Sequence, residues 1–169
     1  MKRTISILAL AALVFGFFVA HALSQAKGAT TIDKLKPLAG EWTATMPTGE
    51  TFVNKIRLVS NGTALEESFE GSGHEQMVTM YTPDGNKVVL THYCSMGNQP
   101  RMETPAVSQD TAKFDFSFTG ATNLAGAAEP HMHHMVLRVS DDNHFSESWT
   151  MQANGKQQVE TFQFTRKKA

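Results

Sequence analysis

The sequence LKPLAGEW at residues 35–42 decides the fold. Pro37 ends a short helical turn that begins near Thr31, and the chain beyond this stretch has the pattern of β-strands. Gly40 lets the backbone bend tightly, so that the indole of Trp42 packs under the end of a sheet. The stretch therefore predicts a helical turn followed by a barrel that a large flat side chain closes at one end.

Turn sequences recur at short intervals along the rest of the chain. Asn61-Gly62, Asp84-Gly85 and Asn154-Gly155 are the strongest of them, because Asn-Gly and Asp-Gly favour the backbone of hairpin turns. Between the turns, apolar and polar residues alternate over strand lengths, as in the aromatic stripe of residues 114–118. This rhythm predicts about nine or ten antiparallel strands.

Many short hairpins without a long helical segment predict an all-β fold. We expect a closed antiparallel up-and-down β-barrel, because closure removes exposed strand edges. A two-layer sandwich is the alternative architecture. Residues 120–130 are rich in Ala and Gly and too long for a tight turn, so we expect a lid, a short helix or a mobile loop over one barrel mouth.

The first 26 residues have the organisation of a secretory signal peptide. Lys2-Arg3 precedes an apolar run over residues 5–20, and small residues then offer cleavage sites after Ala22 or after Ala26. A retained membrane anchor is the alternative, but the run is shorter than the ~20 residues of a spanning helix. We expect a periplasmic or secreted protein with one barrel domain over residues 27–169 and no stable membrane span after signal removal.

The charge composition argues against nucleic acid as a partner. The chain has 15 basic and 16 acidic residues, and loss of Lys2 and Arg3 with the signal peptide leaves a formal charge of −3. Such a chain has no basic field for a phosphate backbone. Cys94 is the one cysteine of the sequence, so a single chain cannot form an internal disulfide and its stability must come from the core.

Several features together resemble the calycin-type barrels, which include lipocalins, fatty-acid-binding proteins and nitrobindin-like barrels. They are the helical turn, the Gly-x-Trp of Gly40 and Trp42, the hairpins, and Arg166 near the end of the chain. The resemblance implies that Arg166 packs across Trp42 as a cation–π plug. The further lipocalin motifs and the late axial histidine of nitrobindin-like haem barrels are not matched. Residues 90–102 resemble a block found in secreted bacterial proteins, which implies a fold and no activity.

Glu67 and Glu147 each interrupt an otherwise apolar face of a predicted strand. If these faces point into the barrel, each carboxylate needs a partner, and Arg57, Arg101 and Arg138 are the candidates. Such groups often orient the polar head of a bound ligand. In the alternative register both faces point outward.

Histidines supply the other candidate sites. His92 shares a strand face with Cys94, so an imidazole and a thiol would share the cavity and ligate haem or a soft metal. Alternatively, both are ordinary wall residues. His131, His133 and His134 form the densest metal-like cluster, with the first two on one face of an extended chain. Exposed histidines without a metal are the alternative there.

These observations predict an exported barrel that binds a small apolar or amphipathic molecule in its interior. Apolar walls would desolvate the ligand, and Glu67, His92, Arg101, Glu147 and Trp149 would orient it. The alternative is a haem- or metal-binding barrel that uses His92 or the histidine cluster. An enzyme is less favoured, because the sequence has no nucleophile elbow, zinc-protease motif or nucleotide loop. No catalytic residue is assigned, and the identity of any cofactor stays open.

Overall fold

The structure is a computed structural model that describes residues 31–46, 49–70, 77–105, 110 and 112–168. The predicted signal peptide and both of its cleavage sites lie outside the described residues. Over the ranges that are described, no helix has the length and apolar character needed to cross a membrane.

Ten strands lie in the described part of the chain, and all of them belong to one closed antiparallel barrel. Their bounds are β1 (Gly40–Thr45), β2 (Thr51–Val59), β3 (Ala64–Glu70), β4 (Met77–Asp84), β5 (Lys87–Tyr93), β6 (Gln99–Glu103), β7 (Lys113–Thr122), β8 (His131–Asp141), β9 (His144–Ala153) and β10 (Lys156–Arg166). Each strand pairs with the next, and β1 pairs with β10 to complete the ring. The predicted up-and-down barrel is confirmed, and the sandwich alternative is wrong.

Short 3₁₀ helices accompany the strands. Thr31–Lys34 and Lys36–Leu38 precede β1, and Ser60–Gly62 joins β2 to β3. The first two replace the predicted helical turn, with Pro37 inside the second one, where its fixed φ angle fits a helical start. Ile32 and Leu38 are buried, so the segment before β1 packs onto the barrel core.

The alternation of the sequence sets which side chains fill the barrel. In β7, Phe114 and Phe116 are buried, while Asp115 between them lies on the outer face. The same two-residue period carries apolar residues inward on the other strands, since successive side chains of a strand point to opposite faces. One end of the barrel, where β1 begins, is called the closed end, and the opposite end, where β10 begins, is called the mouth.

Trp42 fills the closed end. The side chain has no exposed surface, and its indole N–H donates to the carbonyl of Leu38 at 2.8 Å. Its ring meets Phe145 edge-on with the ring centroids 4.6 Å apart. The guanidinium carbon of Arg166 lies 4.0 Å from the centroid of the Trp42 ring, on a residue directly opposite across β1 and β10. The plug that the resemblance implies is present.

Arg166 also ties three chain segments together. Its guanidinium donates to the carbonyls of Pro37 at 2.8 Å, Ala39 at 3.0 Å and Asp142 at 2.8 Å. These carbonyls belong to the segment before β1 and to the turn between β8 and β9. Because one planar guanidinium group donates to carbonyls of both the segment before β1 and the β8–β9 turn, Arg166 fixes the geometry of the closed end.

Gly40→Ala is expected to destabilise the protein by about 1–3 kcal/mol. The φ angle of Gly40 is +145°, which L side chains rarely adopt, and an added Cβ would lie 2.6 Å from a terminal nitrogen of Arg166. Urea unfolding at neutral pH measures the change. Gly126→Ala is the matched control, because an added Cβ there meets nothing within 4 Å, and equal midpoints for the two variants would contradict the prediction.

The loop between β7 and β8 is shorter than predicted. β7 continues to Thr122, so residues 123–130 connect the strands in place of residues 120–130. The loop is held by its neighbours at the mouth: the Asn98 side-chain amide donates to the carbonyl of Pro130, and the Asn154 backbone N–H donates to the carbonyl of Ala128, both at 2.9 Å. These bonds join it to the β5–β6 and β9–β10 turns.

Candidate functional site

A cavity of about 240 Å³ lies in the mouth half of the barrel. Its walls carry four methionines, and the facing pair Met132 and Met151 lie directly opposite each other on β8 and β9. Rings of Phe52, Phe69 and Phe162 complete the apolar wall. Unbranched thioether chains and aromatic rings give a surface that adapts to apolar ligands. The loop of residues 123–130 does not line the cavity.

His92 and Trp149 meet at the inner side of this cavity. Their ring centroids are 4.9 Å apart, although β5 and β9 are not neighbours, so the contact spans the barrel interior. The Nδ1 atom of His92 lies 2.9 Å from the hydroxyl of Thr79. The Nε2 atom is buried and has no hydrogen-bond partner among the described residues. The imidazole therefore keeps one unused hydrogen-bonding position.

Burial also sets the charge of His92. Desolvation lowers its pKa from 6.5 to about 4, so the ring is neutral at neutral pH. A neutral imidazole nitrogen left unpaired in a protein interior costs about 1–3 kcal/mol. A ligand that supplies a hydrogen-bonding group at Nε2 removes that cost.

A pair of buried carboxyl groups lies behind Trp149, and we call Glu67 and Glu147 the carboxyl pair. Both are fully buried, and the Trp149 indole N–H donates to Glu147 at 2.9 Å. The Asn54 amide donates to Glu67 at 2.5 Å, and the Tyr81 hydroxyl donates to Glu67 at 2.6 Å. The same hydroxyl is 3.5 Å from Glu147, and because it has one proton we assign that proton to Glu67.

Both members of the carboxyl pair have a raised pKa. Desolvation raises the pKa of both groups, and the nearby charge of Glu67 raises the pKa of Glu147 further. Glu147 also hydrogen-bonds to Glu67, which stabilises the charged form of Glu67. One proton held by Glu147 and donated to Glu67 satisfies both groups without a nearby cation.

The inward orientation predicted for Glu67 and Glu147 is correct, but the predicted arginine partners are wrong. Arg57 pairs with Glu66 on the outer wall at 2.9 Å, and Arg101 and Arg138 are exposed. Each arginine alternates with buried residues along its strand, so each faces outward. Arg101 therefore does not join the predicted ligand-binding residues, whereas Glu67, His92, Glu147 and Trp149 lie together.

Sequence reasoning missed Asn54, Thr79 and Tyr81 as parts of this group. All three are buried on inward faces of β2 and β4. The sequence pattern that identified Glu67, a polar residue on a strand face that is otherwise apolar, also applies to these three residues. The pattern is weaker for them because their amide and hydroxyl groups carry no charge.

Cys94 does not share the cavity with His92, which corrects that part of the prediction. The thiol is free and buried, but Cys94 is not among the described residues that line the cavity. It lies at the β5–β6 turn, where its backbone N–H donates to the carbonyl of Asn98.

The histidine cluster divides between two sides of β8. His131 Nδ1 donates to the carbonyl of Glu129 at 2.7 Å, so its Nε2 accepts from His133 Nδ1 at 3.2 Å. His134 faces away and lies 2.6 Å from a carboxylate oxygen of Asp115. Within the described ranges, no group of three or more His, Cys, Asp or Glu residues is placed to hold a metal ion. A metal at this cluster stays a prediction.

Comparison with known proteins adds no functional assignment. No protein-family model matches the chain, and no curated protein matches it significantly in sequence.

Proposed function

We propose that this protein is an exported barrel of calycin type that binds a small, largely apolar molecule in its mouth-half cavity. The observation that carries the proposal is an apolar cavity beside a buried, neutral imidazole whose Nε2 lacks a described partner. The Gly-x-Trp motif with its arginine supports the calycin assignment. The basic start and apolar run of the first 26 residues support export to a periplasm or beyond.

The cavity dimensions favour a small ligand. At about 240 Å³ the cavity lies below the roughly 300–1,000 Å³ of pockets for drug-sized ligands. A molecule of one or two rings, or a short chain, is the expected size. Such a ligand gains about 25 cal/mol for each Å² of apolar surface that it buries, before the costs of association.

His92 supplies the polar contact in this proposal. A ligand hydroxyl or amide that reaches Nε2 pairs a nitrogen that is otherwise unsatisfied. The carboxyl pair acts indirectly, because Glu147 holds the indole of Trp149 and Trp149 packs against His92. The favoured ligand is therefore amphipathic, with one hydrogen-bonding group directed inward.

A haem or soft metal ion bound through His92 is the second candidate. A neutral imidazole is the form that ligates metals, and thioether side chains such as those of the cavity methionines favour soft ions. Metal analysis and a visible absorption spectrum of the purified protein distinguish the two candidates. A colourless, metal-free protein that binds apolar probes supports the first.

His92→Leu is expected to weaken binding of 2-naphthol about 5- to 150-fold and to change naphthalene binding little. The two probes differ by one hydroxyl, and loss of its partner nitrogen costs about 1–3 kcal/mol. Titrations followed by probe fluorescence, with native mass spectrometry for stoichiometry, measure both affinities.

His144→Leu is the matched control for this experiment. It removes a histidine at the closed end, where His144 lies 2.9 Å from Asp141 and far along the barrel from the cavity. We expect both probes to bind this variant as they bind the wild type. Equal loss of both probes in His92→Leu, or no binding to the wild type, contradicts the proposed function.

A further inference from the structure

We propose that the ligand of this cavity is a small organic cation, such as a protonated amine or a quaternary ammonium, whose charge binds between Glu160 and Trp149. The inference rests on the proposed function, because it names the chemical class of ligand for the same cavity. It derives from the charges that line the cavity and from the register of β9 and β10.

The register places an acidic and an aromatic side chain side by side at the cavity. Glu160 on β10 lies directly opposite Trp149 on β9, and both line the cavity. Directly opposite residues on one face of an antiparallel pair have Cβ atoms about 4.5–5.5 Å apart. A cation between them meets a carboxylate and the face of an indole, which is the best aromatic partner for a positive charge.

Glu160 also lacks the counterion that other strand carboxylates have. On the outer wall, Oε1 of Glu66 lies 2.7 Å from Nη2 of Arg57. Glu70, which also lines the cavity, has its own counterion, because its Oε2 lies 2.6 Å from Nζ of Lys55. Glu160 is exposed at the mouth on the inward-facing side of β10, and it makes no ion pair with the described residues. A ligand with a positive charge supplies that counterion.

The positive charge that approaches the cavity, Lys55, is already neutralised: its Nζ lies 2.6 Å from Glu70, which lines the cavity. None of the described residues that line it is a lysine or arginine, and His92 is neutral at neutral pH. Lys156 is the next basic residue along β10, four positions outward from Glu160. At about 3.4 Å per residue it lies about 14 Å further out, beyond the screening length of roughly 8–10 Å at physiological salt.

Glu147 positions the ring that the cation would meet. The indole N–H of Trp149 donates to Glu147 at 2.9 Å, so the indole is held in place at the inner side of the cavity. Anionic amphiphiles such as fatty acids meet the carboxylate of Glu160 at the mouth, and we expect them to bind most weakly.

Three naphthyl probes of nearly equal size test the inference by calorimetry. They are 1-naphthylmethylamine, which is an ammonium at neutral pH, 1-naphthalenemethanol, which is neutral, and 1-naphthoate, which is an anion. We expect the wild type to bind the ammonium about 5- to 10-fold more tightly than the alcohol, and the anion least tightly. Higher salt reduces the preference for the ammonium, because Glu160 is exposed.

Glu160→Gln is expected to abolish the preference for the ammonium over the alcohol while leaving the affinity for the alcohol within about twofold. Glu103→Gln is the matched control, since Glu103 pairs with Lys87 on the outer wall and does not line the cavity. Equal binding of ammonium and alcohol by the wild type, or an unchanged preference in Glu160→Gln, overturns the cation inference alone. No binding of any naphthyl probe overturns the proposed function and the inference together.

Discussion

Trp42→Ala is expected to lower the free energy of unfolding by about 3–5 kcal/mol, the range for removing a large buried aromatic side chain. The substitution opens a void at the closed end and removes the edge-on contact with Phe145. It also removes the ring that Arg166 covers and the donor to the Leu38 carbonyl. Urea unfolding measures the loss, and fluorescence of the remaining tryptophan, Trp149, reports the transition.

Two further variants separate the plug from a general loss of apolar surface. Trp42→Phe keeps part of the filling but loses the indole N–H and some of the surface under Arg166, so we expect an intermediate loss. Val159→Ala removes an apolar side chain that is 62% exposed, and we expect a change within about 0.5 kcal/mol. A loss below about 1 kcal/mol in Trp42→Ala would show that the indole does not hold the closed end.

Glu147→Gln is expected to make the protein more stable than the wild type at alkaline pH and to change the stability little near pH 5. The amide is close in shape to a protonated carboxyl group. Its oxygen accepts from the Trp149 indole and its N–H₂ donates to Glu67, as the protonated carboxyl does in the wild type. The variant therefore keeps the interactions of Glu147 and loses its titration.

The pH window follows from the direction of each pKa shift. The folded-state pKa of Glu147 is raised above 4.5, so its stabilising contribution is complete below pH 4.5 and is lost as the pH rises through the folded value. The folded-state pKa of His92 is lowered from 6.5 to about 4, so its contribution is present above pH 6.5 and is lost as the pH falls through about 4. The two effects oppose each other between pH 4.5 and 6.5.

Above pH 6.5 the contribution of His92 is complete, and each proton that the carboxyl pair retains in the folded state and releases in the unfolded state lowers stability by about 1.4 kcal/mol per pH unit. Guanidinium unfolding at a series of pH values measures this slope for the wild type and for Glu147→Gln. Glu103→Gln, which removes a carboxylate from a surface ion pair, is expected to leave the slope unchanged. Parallel curves for the wild type and Glu147→Gln would mean that Glu147 is ionised throughout this range.

The packing that stabilises the barrel and the proposed ligand binding lie at opposite ends. The closed end holds the fully buried Trp42 and the guanidinium of Arg166. The mouth holds the cavity, with His92 inside it and Glu160 at its rim. Variants at Glu160 are thus expected to change affinity with little change in the free energy of unfolding. The variants used in the binding experiments leave the closed end intact, so we expect each of them to fold.

Much of the fold could be predicted from local sequence features. Alternation and Asn-Gly or Asp-Gly turns specify hairpins through contacts within two neighbouring strands, so the number of strands and their antiparallel order followed directly. The site was predicted in part, because polar interruptions on inward faces mark Glu67, Glu147 and His92 as buried. The arginine partners were wrong, because opposite charge was assumed to be needed where the neutral donors of Asn54, Tyr81 and Trp149 suffice.

The sequence by itself determined which residues share a strand face, where the hairpins turn and which indole closes the barrel, since each of these depends on short-range periodicity or on a local motif. Only the tertiary structure decided that the faces of Glu67 and Glu147 point inward and which inward residues meet. His92 and Trp149 lie on strands that are not neighbours, and Glu67 and Glu147 are 80 positions apart in the chain. Closure of the sheet sets such contacts through its curvature and register, and no local pattern in the chain encodes distances across the barrel.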